Sequence, residues 1–151
     1  MSERHNLEYY QIAAFQIDAA IDQYLQGTLA SYICAITLAG AGEEILGKLL
    51  RHQHNKDSAL DKNVEEMLFK QGIKKSSQDF QRLKKEYKDM LNKPRNAFKH
   101  FKEDFCEEDV DPHLFAEMMI NRAIINYGEL RNSITQKMSH FLDFTKQERE
   151  E

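Results

Sequence analysis

Pro94 and Pro112 are the only prolines in a chain of 151 residues. Proline is the residue least tolerated inside a helix, and the period-two alternation of Val, Ile and Thr that marks strands is almost absent here. Helices must therefore fill most of the chain.

The apolar spacing says where. Leu7, Tyr10, Ala14, Ile17, Ile21 and Tyr24 recur at steps of three and four, predicting a helix over roughly residues 6–26 that Gly27 ends. A second helix is expected from about Thr28 to Arg51. It is rich in small residues, and each interior glycine among Gly40, Gly42 and Gly47 costs ~1 kcal/mol of helix propensity, so a neighbouring helix should pack close. After a polar loop, Leu60, Val64 and Leu68 predict a short helix over 58–71, stopped by Gly72. Ser76 or Ser77 can cap the next helix, which runs to about Leu91 with Phe80, Leu83, Tyr87 and Met90 on one side and its lysines on the other. Asn92-Lys93-Pro94 is expected to break or restart that helix.

Asp111-Pro112 is another start signal, and from Ala116 through Ile134 and Met138 to Phe141 one apolar stripe continues nearly to the end. A single helix of more than thirty residues would be about 45 Å long and would overhang its partners. It either breaks near Gly128 or Asn132 or packs its end on another subunit, and the second outcome is the expectation. The fold class predicted is all-α: one up-and-down bundle of four to five main helices over residues 1–146, with 147–151 as a disordered tail.

No uninterrupted apolar run approaches the ~18 residues of a membrane span, and no leader pattern opens the chain, so a cytoplasmic protein without membrane contact is expected. Cys34 and Cys106 form neither a C-x-x-C pair nor a zinc cluster. No Glu is followed three residues later by His, which removes a ferritin-like di-metal bundle, and His52-x-His54 has no third ligand at suitable spacing. A phosphate-binding G-x-x-x-x-G-K-[ST] loop is absent. No cofactor or metal is called for. The net charge of −4 hides a basic segment: residues 70–102 carry eleven Lys or Arg against three acids, and six acids follow between Glu103 and Asp111. Such a segment is either a phosphate-binding face or a solvated helix surface.

Within it stands Arg95-Asn96-Ala97-Phe98-Lys99-His100. If a helix starts at Pro94, Asn96 and His100 share a face and Arg95 lies about 100° away on the first turn, within reach of the same ligand. A phosphate there would meet free backbone amides, a bidentate guanidinium and an imidazole. That is the equipment of metal-free RNA cleavage: His100 to move a proton at the 2′-hydroxyl or the leaving oxygen, Arg95 to hold the phosphoryl group, Asn96 to orient either.

These residues resemble the HEPN family of helical bundles, whose pattern is an arginine, a polar residue that is often Asn, Asp or His, and a histidine shortly after. The resemblance implies a bundle of four or five helices, a two-fold homodimer that brings two motifs together and, in many members, metal-independent endoribonuclease activity on RNA. Other members lack catalysis or partner nucleotidyltransferases in toxin–antitoxin pairs, so a non-catalytic interaction or antitoxin-type protein that dimerises or binds a nucleotide or anion is the alternative. On the helical wheel Glu43 falls with Ile36, Ala39, Leu46 and Leu50, whereas Glu44 falls with polar positions. A buried carboxylate needs a partner, so Glu43 is expected to face Arg95, His100 or another cation, unless it sits at an edge that reaches water. The family often carries a polar or acidic residue on its second helix near the motif, a role that Glu43 suits.

Overall fold

A computed structural model of the chain describes residues 3–99 and 110–151. Six helices are formed among these residues: α1 (Tyr9–Tyr24), α2 (Leu29–His54), α3 (Ala59–Lys70), α4 (Phe80–Lys99), α5 (Pro112–Arg131) and α6 (Gln136–Glu150). The fold is an all-α helical bundle.

Local chemistry sets most of the boundaries. Gly27, at φ +70°, ends the turn after α1 in a conformation that side-chain-bearing residues rarely adopt. Thr28 then caps α2: its Oγ1 accepts from the Ser31 amide at 3.1 Å while Ser31 Oγ accepts from the Thr28 amide at 2.9 Å. Ser58 and Asp61 exchange the same pair of bonds at the start of α3. Asp111 accepts from the Leu114 amide ahead of α5, with Pro112 in the first turn where its missing donor costs nothing.

Two apolar clusters hold the bundle. The larger joins α1, α2, α5 and α6 through fully buried Ile17, Ile36, Leu46, Met119, Ile120 and Phe141, each contributing on the order of 2 kcal/mol. The smaller joins α3 to α4 through Leu60, Val64, Leu68 and Phe80. The glycines of α2 make the approach the sequence implied: a Cβ on Gly42 would lie 3.2 Å from the Ala13 carbonyl oxygen and 3.1 Å from Ile17 Cγ1 on α1. By length and composition α2 is also apolar enough to cross a membrane, yet α1 and α5 flank it and it carries buried Glu43.

Four expectations need correction. Pro94 does not restart a helix; it lies inside α4, so the motif begins in mid-helix and has no first-turn amides to offer. Its ring is buried, lining an apolar groove with Val110, Leu114, Phe115 and Met118, and this packing offsets the lost backbone bond. The long final helix is two helices. Asn132 takes the left-handed conformation at φ 54°, and Thr135 caps α6 by accepting from the Met138 amide at 3.2 Å, so the overhang that suggested a second subunit falls away. The chain after residue 146 stays helical to Glu150, with Arg149 paired to Glu117. On α4, Lys84 and Lys88 turn inward to Asp61 rather than outward, and Met90 is half exposed instead of packed.

Candidate functional site

Glu43 sits midway along α2, buried, with both carboxylate oxygens engaged. Arg95 Nη1 on α4 donates to Oε2 at 3.2 Å, and Arg122 Nη2 on α5 donates to Oε1 at 2.8 Å. The same Arg122 nitrogen donates to Asn92 Oδ1 at 2.8 Å, one α-helical turn before Arg95. Arg95 Nε and Nη2 also reach Asn96 Oδ1, at 3.3 and 3.2 Å. Glu43, Arg95 and Asn96, three residues singled out in the sequence, therefore form one polar cluster between α2, α4 and α5. The fourth, His100, lies outside the described residues.

Gly40 makes the cluster possible. A Cβ at that position would fall 2.5 Å from Arg95 Cδ and 2.9 Å from Cγ, so the arginine stem occupies the space that any other residue would fill. One turn further along α2 the Glu43 carbonyl accepts a long bond, 3.4 Å, from Asn126 on α5. Asn126 is fully buried and its Oδ1 accepts from the first α3 amide, Ala59, at 2.7 Å, which ties α3 to the same helices.

A second carboxylate hub lies beside the first. Asp61, buried at the start of α3, is approached by Arg51 at 3.4 Å, Lys84 at 3.7 Å and, most closely, Lys88. Burial alone would raise its pKa, but the bonds from Lys88 and Ser58 outweigh that and hold the carboxyl well below the usual range. Between the hubs a groove of about 280 Å³ opens, lined by Glu44, Lys48, Arg51, Lys88, Asn92 and Arg95 among others. Glu44 at its rim is also held below the ordinary carboxylate range, chiefly by its bond from Lys48 at 2.8 Å, with Arg95 and Lys99 adding to the effect.

No family model, curated protein or solved structure matches this chain. The site must be read from its own chemistry.

That chemistry is positive but less so than the sequence suggested. Lys75 and Lys84 are paired with Glu65, Arg82 with Asp79 and Glu86, and Arg95 with Glu43, so much of the basic segment is neutralised by acids of α2, α3, α4 and the residue just before α4. What remains is layered. Glu43 is the buried acid of the groove's lining, its side chain 5% exposed, and Asp61, 3% exposed, lies outside that lining, while Arg51 at 42% and Lys48 at 60% reach toward solvent. At the groove's mouth these cations stand beside two acids, Glu44, which pairs with Lys48, and the exposed Asp89, so a phosphate entering it meets charges of both signs. Among the described residues no group of three His, Cys, Asp or Glu side chains could hold a metal ion, and His52 and His54 are exposed.

Arg122, Asn92 and Asp61 were not singled out in the sequence. A signal for Arg122 existed: in the apolar run Phe115–Tyr127 only Glu117 and Arg122 are charged, and both prove buried. His113 showed no pattern either, yet its Nε2 is 2.6 Å from Tyr24 Oη, inside a group of rings with Tyr32 and Phe141.

Proposed function

We propose that this chain is a HEPN-like protein that cleaves single-stranded RNA without a metal ion. The observation carrying the reading is the Glu43–Arg95 pair, which joins the Arg95-Asn96 part of the motif to a buried acid on the second helix, where the family often carries a polar or acidic residue. Arg95, on the wall of a groove that Lys48, Arg51 and Lys88 share with Glu44 and Asp89, would hold the phosphoryl oxygens, and Asn96 would orient the groups around it. In the reaction the 2′-oxygen attacks the adjacent phosphorus and the bond to the 5′-oxygen breaks, leaving a 2′,3′-cyclic phosphate and a free 5′-hydroxyl. His100 is the residue assigned to take the 2′-hydroxyl proton or to protonate the departing oxygen, and the same residue of a second copy would supply the complementary transfer. Glu43 supports the site. A homodimer in the cytoplasm, with an antitoxin or nucleotidyltransferase partner as a further option, belongs to the same proposal.

One observation favours the alternative, a non-catalytic protein that dimerises or binds a nucleotide or anion: Arg95 already spends its Nη1 on Glu43. The two readings separate in one experiment. Purified protein is incubated with single-stranded RNA in the presence of chelator, and wild type is compared with His100→Ala and Arg95→Ala. Cleavage by wild type to cyclic-phosphate ends, falling by about 10²-fold or more in either variant, is the expected result. Equal cleavage by all three proteins, or none by any, rejects the ribonuclease and leaves the binding protein.

A further inference from the structure

Glu43 is one carboxylate shared by two guanidinium groups, and the sharing is unequal. Arg122 has a side chain 5% exposed and Arg95 one that is 15% exposed, and Arg95 lines the groove. Arg122 also has donors to spare. Its Nη2 serves both Glu43 and Asn92, while its Nε and Nη1 are buried with no partner among the described residues. Buried donors left unmade are costly, and a guanidinium is built to take a carboxylate through two parallel bonds. As it stands, Glu43 offers Arg122 only Oε1, because Oε2 is held by Arg95.

We propose that Arg122 is a positioning residue that releases Arg95 for an RNA phosphate. When a phosphate enters the groove, Arg95 exchanges Glu43 for it, and the freed Oε2 turns to an empty donor of Arg122. The exchange leaves no charge bare: Glu43 becomes doubly bonded to Arg122, and Arg95 gains an anion. A single carboxylate–arginine pair would lack this property, since withdrawing its only cation would strand a buried carboxylate. Two cations on one acid make the Glu43–Arg95 bond a latch rather than a permanent strut. The inference rests on the RNA reading of the site and is tested so that the two can fail separately.

The test is fluorescence anisotropy of a labelled ten-nucleotide uridine RNA, titrated with full-length protein at several KCl concentrations, with circular dichroism and thermal melts on every variant. Arg95→Ala reports the phosphate contact: affinity falls on the order of tenfold and the salt slope loses about one unit. Arg122→Met removes the residue that receives Glu43, so Arg95 stays latched and the variant loses the same unit of slope although Arg95 is intact. Arg122→Lys, which keeps the charge but lacks the fork, behaves like Arg122→Met; a residue needed only for charge balance would be rescued by lysine. Adding Glu43→Gln to Arg122→Met frees Arg95 and restores the slope. If the Arg122 variants do not fold, Glu43→Gln alone decides, because it must tighten binding and the gain must vanish with Arg95→Ala. Arg95-dependent binding that is indifferent to both Arg122 and Glu43 overturns the latch alone. Absence of any Arg95-dependent RNA binding overturns the RNA reading and the latch with it.

Discussion

Replacing Gly40 with alanine should change the sign of its effect with the identity of residue 95. In an ordinary helix interior the substitution stabilises by about 1 kcal/mol, because alanine loses less backbone entropy. Here the new Cβ would lie 2.5 Å from Arg95 Cδ, against the ~3.5 Å of a relaxed carbon contact, so the stem must move by roughly 1 Å. The Arg95–Glu43 bond has no slack for such a shift, since at 3.2 Å it is already near the limit of a hydrogen bond. Losing that charge-assisted bond costs about 1.5–3 kcal/mol, less than a fully orphaned acid would, because Arg122 still holds Glu43. Gly40→Ala is therefore expected to destabilise wild type by about 1 kcal/mol. In an Arg95→Ala background the obstructing atoms are gone and the nearest remaining neighbour, Met119 Cε at 3.5 Å, is an ordinary contact, so the same substitution should stabilise by about 1 kcal/mol. The coupling between the two sites is about 2 kcal/mol. Urea denaturation followed by circular dichroism measures it, with midpoint shifts of about 0.5 M in opposite directions for a slope near 2 kcal/mol/M. Equal shifts in the two backgrounds, or a higher midpoint for Gly40→Ala in wild type, would refute the placement of Arg95 against α2.

Two pH dependences follow from the same structure. Asp61, whose pKa is held down in the folded chain, contributes stability that is present above the unfolded carboxyl value near 4 and is lost as pH falls below it. Asp61→Asn should cost about 2 kcal/mol at pH 7, with the gap to wild type narrowing below pH 4; a constant gap in urea melts down to pH 3 would contradict this. Tyr24 shifts the other way: burial, followed by the charges of Glu117 and Glu148, raises its pKa above that of a free phenol, so its contribution is present below about pH 10 and is lost as pH rises further. In an ultraviolet titration Tyr24 should ionise above the range of a free phenol, and Tyr24→Phe should flatten the alkaline decline in stability. An unchanged decline would place the titrating group elsewhere.

Helix positions were legible where one residue acts on its own turn. Ser58 before α3, Gly72 after it and Asp111-Pro112 before α5 all fall where the local signals put them, because a cap or a stop is decided within four residues. The break between α5 and α6 was harder. Ile134 and Met138 continue the apolar stripe of α5 in phase, so periodicity ran straight across a turn that Asn132 makes by adopting a left-handed backbone. Pro94 failed for the opposite reason: the rule that proline ends a helix is local, and the burial of its ring beside α5 is a tertiary gain that no window of sequence contains.

The site was half legible on similar grounds. Glu43 stood out because a carboxylate on an apolar face must find a cation, and Arg95 was the cation nearest in kind. Arg122 obeys the same logic in reverse, since a guanidinium between Ile120 and Ala123 must find a carboxylate. Taken together, the two rules overdetermine the interior: one buried acid meets two arginines, so the cluster around Glu43 holds an excess positive charge. An interior seldom retains such an excess for stability alone, because a hydrophobic side chain at residue 122 would pack at lower electrostatic cost. The surplus makes physical sense if an anion completes it from the groove, and that is why the arginine the sequence concealed, more than the one it advertised, governs whether Arg95 can leave Glu43.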